Sequence, residues 1–182
     1  MTEETLFERI DEVLKPLGSR ADEGEEFRSP PLDVLRDQSR GVRLHWAPFF
    51  GRGLSVVSVV RQPVDLPFTT DGCKTLLKRL AMAVNGRYPP TFSRGASLGL
   101  TAVVLTPEPI GPGDEAVLKA VINGRPLPRL RAVPLGMIRV NLGQEAVAFA
   151  LAAGPEGVFP EPLALADALC GSLRRFVPLM EW

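Results

Sequence analysis

Histidine, tyrosine, tryptophan and cysteine are scarce in this 182-residue chain, which holds one His, one Tyr, two Trp and two Cys. A structural zinc site takes about four cysteine or histidine ligands, and His45, Cys73 and Cys170 fall short of that. Residue supply therefore excludes zinc fingers, ribbons and histidine-rich centres, and no metal site is expected. The two cysteines lie far apart in sequence and form no Cys-x-x-Cys pair, so free thiols in a reducing compartment are expected. No apolar run reaches the length of about eighteen residues that a membrane helix needs. Met1 to Thr5 are acidic rather than basic-then-apolar, so no signal peptide is read and the expected location is cytoplasmic. Nucleotide motifs are missing too. No glycine-rich loop ends in Gly-Lys-Ser/Thr, and Gly111-Pro112-Gly113 is too short and prolyl to cradle a phosphate. No cofactor is expected.

What is present is an ordinary folding composition: 45% hydrophobic and 23% charged residues, with a formal net charge of zero. The length suits one domain with a single core. Charge is unevenly spread. Residues 1–40 carry eleven acids against six bases, residues 41–139 thirteen bases against five acids, and residues 140–182 five acids against two bases.

Thr2 to Leu17 reads as an amphipathic helix, with Leu6, Phe7, Ile10, Val13, Leu14 and Leu17 on one stripe, Thr2 as cap and Glu3 and Glu4 in the first turn. Residues 18–40 read as an acidic, mobile surface linker, with one or two helical turns at Leu32–Gln38. Val42–Val60 reads as a hairpin turning at Gly51-Arg52-Gly53, where glycine accepts positive φ. A second helix is capped by Thr69-Thr70-Asp71, buries Leu76, Leu77, Leu80, Ala81 and Val84, and ends at Asn85-Gly86. Ser97–Thr106 is a strand. Glu115–Ile122 reads as a short helix rather than a strand. Leu127–Val133, Met137–Asn141 and Ala146–Ala152 read as strands. A last helix from Glu161 turns Leu163, Leu165, Ala166, Leu169, Cys170, Leu173 and Phe176 inward. The expected fold is a single α+β domain over 1–182. Its sheet is mostly antiparallel, with about five to six strands, and an N-terminal, a central and a C-terminal helix gather on one face.

Two nucleophile patterns are present. Gly95-Ala96-Ser97-Leu98-Gly99 matches the Gly-x-Ser-x-Gly elbow of α/β-hydrolases. That elbow needs a helix after the serine and a histidine downstream, whereas a strand follows Ser97 and His45 lies upstream. Cys73 falls in a helix first turn beside Lys74, where a thiolate would be favoured, and would need His45 as its base. Both remain as the enzyme alternative, a small hydrolase or thiol enzyme. Arg125, Arg129 and Arg131, joined by Arg43, Arg52, Arg61 and Arg139 from other strands, form a candidate anion- or RNA-binding sheet. An RNA-binding sheet interleaves aromatics with its basic residues, and here the aromatics cluster at 46–50, so the sequence points away from nucleic acid. The basic middle suits the protein's own acidic first forty residues, or an acidic partner.

The aromatics carry the leading expectation. Trp46, Phe49, Phe50 and Trp182 are of the types that anchor interfaces. The order of elements resembles that of secretion-chaperone-like α+β domains, which act as dimeric protein-binding modules. The sequence therefore predicts a non-catalytic, chaperone-like or adaptor-like protein-binding or assembly module that self-associates, a homodimer being the simplest form, through these four residues.

Overall fold

The computed structural model of the chain describes residues 1–21, 28–29, 32–46, 49–87, 97–123, 132–152 and 159–175. Five long strands lie side by side in the order in which they occur in the sequence. They are β3 (Leu32–Trp46), β4 (Phe49–Arg61), β5 (Ser97–Leu105), β6 (Ala132–Asn141) and β7 (Ala146–Leu151). Short pieces β1 (Arg20–Ala21) and β2 (Arg28–Ser29) pair with the outer edge of β3, and β8 (Arg174–Arg175) pairs with β7. The helices are α1 (Glu3–Leu14), α2 (Thr70–Arg87), α3 (Asp114–Ile122) and α4 (Glu161–Cys170).

The class is α+β as expected, but the sheet is mixed rather than mostly antiparallel. β4, β5 and β6 run parallel, while the β3/β4 and β6/β7 pairs are antiparallel. A parallel step needs a crossover of a dozen or more residues, usually through a helix, and α2 and α3 are those crossovers. Both steps move the same way across the sheet, so the right-handed rule puts both helices on one face. The opposite face is left to α1 and α4, which pack beside each other. The helices therefore cover two faces, not one.

Two cores follow from this layering. On one face Leu76, Leu77, Leu80, Ala81 and Val84 of α2 and Leu118, Val121 and Ile122 of α3 meet Val56, Val60, Leu100, Ala102, Val104 and Met137. On the other, Leu6, Ile10 and Leu14 of α1 and Leu165 and Leu169 of α4 meet Val57, Val59, Val103, Ile138 and Val140. Alternate residues of β4, β5 and β6 feed opposite cores, which is why these strands read as nearly unbroken apolar runs.

The helix readings hold in their main features. Thr2 caps α1, its side chain accepting from the Thr5 amide at 3.2 Å, and Gly18 leaves the helix with φ +83. Asp114–Ile122 is helical. α2 runs through Asn85-Gly86 to Arg87, and the Asn85 side-chain amide donates back to the Ala81 carbonyl at 2.9 Å. Leu163 is exposed rather than inward, being 40% accessible on the outer side of α4. Leu127–Leu130, Arg131 and Phe176 lie outside the described residues.

Two readings are corrected. Leu32–Gln38 is strand, not helical turns, and the second half of the expected 18–40 linker belongs to the sheet. Asp37 and Gln38, inside the expected surface linker, are both buried, and each meets a partner: Arg87 donates to Asp37 at 3.3 Å, and Gln38 donates to Asp11 of α1. The hairpin does not turn at Gly51–Gly53. Leu44 pairs with Gly51 and Val42 with Gly53, and pairing closes at Trp46 opposite Phe49, so only residues 47 and 48 connect the strands. Glycine within a strand admits close approach as readily as it makes a turn.

Candidate functional site

The β3–β4 hairpin is longer than the strands beside it. Its first link to β5 is Gly53 opposite Ser97. Residues 43–46 and 49–52 lie beyond that point and, among the described residues, pair only with each other. Four residues per strand make an arm about 13 Å long. It reaches past the amino-terminal ends of β5 and β6.

Register sorts the arm into two rows, since directly opposed positions share a face and successive positions alternate. One row holds Val42 opposite Gly53, Leu44 opposite Gly51 and Trp46 opposite Phe49. The other holds Arg43 opposite Arg52 and His45 opposite Phe50. The apolar row continues the α1/α4 face. At its root Val42 packs with Leu135 and Phe159. Gly99 lies beneath these last two, where a β-carbon would come within 2.5 Å of Leu135 Cδ1 and 2.9 Å of Phe159 Cε1. The last glycine of the elbow-like motif thus makes room for a core.

Of the expected contact residues, the structure brings Trp46 and Phe49 together as a cross-strand pair and puts Phe50 in the other row. Trp182 lies outside the described residues.

The nucleophile candidates are not brought to the histidine. Ser97 opens β5, with strand and no helix after it. Its backbone is three residues along and two strands across from His45, about 14 Å away. Cys73 lines a cavity with Val104, and Val104 pairs with Val60, ten residues along β4 from the partner of His45. That is about 33 Å. The Cys73 thiol is 3% exposed, and burial pushes it up to about 11 against the opposing pull of Arg139. A protonated thiol is a poor nucleophile.

At the carboxyl end of the parallel strands a second polar centre surrounds Arg139, which the sequence reading had placed on a basic sheet surface. It is 2% exposed. Its guanidinium donates to Asp114 at the start of α3, to Thr106 at 3.2 Å and to Glu108 at 3.0 Å, and lies 3.7 Å over the Phe68 ring. Asn141 donates to the Pro107 and Glu108 carbonyls, and Gln144 holds both backbone groups of Ile110. These bonds fix residues 106–110 across the strand ends. The adjoining cavity, between Gln62, Phe68, Cys73, Leu76 and Met137, has about 10 Å³, room for roughly one water. A buried charge requires this pairing, so Arg139 holds the loop in place. Its one signal in the sequence is a charge inside the apolar run Met137–Val140.

Arg61 is likewise engaged, donating to Glu3 at 2.8 Å and to Asp33 at 2.8 Å. The expected match between the basic middle and the acidic first forty residues is realised there. Arg125 and Arg129, with Arg131, lie outside the described residues.

The chain matches no family model, no curated protein and no solved structure to which it was compared.

Proposed function

We propose that this chain is a non-catalytic assembly module that self-associates through the apolar row of its β3–β4 arm. The observation that carries this reading is the extension of the arm, with Trp46 opposite Phe49, past Gly53–Ser97, beyond which its strands pair, among the described residues, only with each other. A two-stranded ribbon is marginally stable in water by itself, and large aromatics are the residues that most often anchor an interface. Register places Leu44 opposite Gly51 and Trp46 opposite Phe49 on that row, beyond the buried Val42 at its root. A protein partner of another kind would use the same row.

Light scattering tests the proposal. The chain is expected at twice its 19.7 kDa mass or more at tens of micromolar, and a Trp46→Ala/Phe49→Ala variant at the monomer mass with its far-UV circular dichroism unchanged. A monomeric parent, or a variant whose mass equals that of an oligomeric parent, removes this reading.

A further inference from the structure

We propose that a water-binding site lies inside the α1/α4 face, built by Ser55 of β4, Thr101 of β5 and Glu161 at the start of α4. These residues are 2%, 0% and 1% exposed. Among the described residues, Ser55 Oγ, Thr101 Oγ1 and Glu161 Oε2 find no hydrogen-bond partner. Leaving buried polar atoms unpaired is costly, and native structures supply them with a partner. Register brings the three to one place. Ser55 and Thr101 share the side of the sheet that Val57, Val59 and Val103 present to α1 and α4, because alternate strand residues share a face. Ser55 is opposite Gly99, two residues before Thr101, so the two are diagonal neighbours with α-carbons about 7–8 Å apart. One water bridges such a gap, since two hydrogen bonds of about 2.8 Å span about 5.6 Å between hydroxyl oxygens. Glu161 sits over the same spot. Arg40, opposite Ser55 on β3, donates to Glu161 Oε1. Pro162, the next residue of α4, comes within 3.3 Å of where a β-carbon of Gly136 would lie, and Gly136 is opposite Thr101.

The chemistry of the three atoms selects the ligand. Each hydroxyl has a proton to donate, whereas the carboxylate oxygen only accepts. A molecule that accepts twice and donates once completes all three, and water does both. A cation is not called for, because the Arg40 guanidinium already neutralises Glu161. An anion would meet that carboxylate. A larger neutral molecule is kept out by the side chains packed alongside. A β-carbon on Gly99 would come within 2.5 Å of Leu135 and 2.9 Å of Phe159, and one on Gly136 within 3.1 Å of Leu151. A buried water typically makes about three hydrogen bonds to polar groups that the protein leaves unpaired. Here those bonds join the middle of the sheet to the first turn of α4. They give the helix a fixed docking position on a face whose other contacts, Leu165 and Leu169 against Ile138 and Val140, have no directionality.

The test is a crystal structure of the full chain at about 1.5 Å, where a bound water is visible without any substitution. One density peak that refines as water is expected about 2.6–3.2 Å from Glu161 Oε2 and from both hydroxyl oxygens. Thr101→Ser keeps the hydroxyl and should keep the peak. Ser55→Ala/Thr101→Val leaves the water one partner of three and should lose it. Urea denaturation gives a second readout in solution. Ser55→Ala and Thr101→Val should each raise the unfolding equilibrium constant at least about fivefold. Together they should raise it at least about threefold less than the product of the two, because both act on one shared molecule. No peak in the unaltered chain, a peak that refines as a metal or halide ion, hydroxyls bonded instead to backbone carbonyls, or strictly multiplicative effects of the two substitutions would each overturn the proposal.

Discussion

The guanidinium of Arg139 lies 3.7 Å above the centre of the Phe68 ring, so a strand residue and a loop residue hold each other at the carboxyl end of the sheet. Asp114 takes up the charge from the other side. Truncating one partner of a buried ion pair costs about 3 kcal/mol or more, whereas replacing both by apolar residues is often nearly neutral. Asp114→Ala is therefore expected to lower the melting temperature by about 6–12 °C for a chain of this size. Arg139→Met/Asp114→Leu should lose distinctly less. Scanning calorimetry of the three proteins decides it, and a double variant no better than the single would contradict the reading.

Arg61 provides the contrast. It has two carboxylate partners, Glu3 and Asp33, yet the three side chains are 49%, 40% and 57% exposed. Solvent screens such pairs, and each contributes about 0–1 kcal/mol. Arg61→Ala should shift urea denaturation by no more than about 1 kcal/mol, less in 0.5 M salt, although it removes more ion pairs than Asp114→Ala does. A loss of about 3 kcal/mol that salt does not reduce would show this judgement to be mistaken.

Gly99→Ala should be costly for a reason unrelated to the motif it sits in. A β-carbon there meets Leu135 at 2.5 Å and Phe159 at 2.9 Å, and overpacking of this kind costs about 1–3 kcal/mol. Leu135→Ala placed on top should recover part of that loss by vacating the contested space. Chemical denaturation of the single and double variants reads the coupling directly, and strict additivity would refute the steric account.

Cys73 should behave as a core residue. Its thiol titrates near 11 rather than the ordinary 9.0 because burial disfavours the thiolate. The folded state thus holds this proton more tightly than the unfolded state does. The contribution to stability is complete below pH 9 and is lost as pH rises from about 9 through 11. Iodoacetamide at pH 8 should label Cys170, which is only partly buried, well before Cys73. Cys73→Ala should flatten the fall in stability between pH 9 and 11. Rapid selective labelling of Cys73 at neutral pH would instead restore it as a nucleophile.

The elements most legible in the sequence are those whose burial follows one period. Leu6, Ile10 and Leu14 announce α1, and Leu76, Leu77, Leu80 and Val84 announce α2, because an apolar stripe at helical spacing has few other uses. β3 was hidden by its own partners. Asp37 and Gln38 read as surface residues until Arg87 and Asp11, far off in the chain, turn out to receive them. Parallel pairing was hidden as well, since a doubly covered strand shows an apolar run whichever way its neighbours point. The two rows of the arm could not be separated before the register was known. A slip of one residue exchanges the rows, and glycines that serve equally for turns and for close strand approach did not fix it. The arm's aromatics were visible in the sequence, but not which of them stands beside the arginines.

Strand order has a consequence for how the chain reaches this shape. From β3 to β7 each strand lies next to its predecessor in sequence, so every new strand can join a free edge as soon as it is made. The face shared by α1 and α4 obeys the opposite logic, because its two halves come from opposite ends of the chain. The stripe of Leu6, Ile10 and Leu14 is finished first and gains its neighbour last. That order permits row-by-row growth of the sheet during synthesis, whereas this side of it can close only once both α1 and α4 have been made.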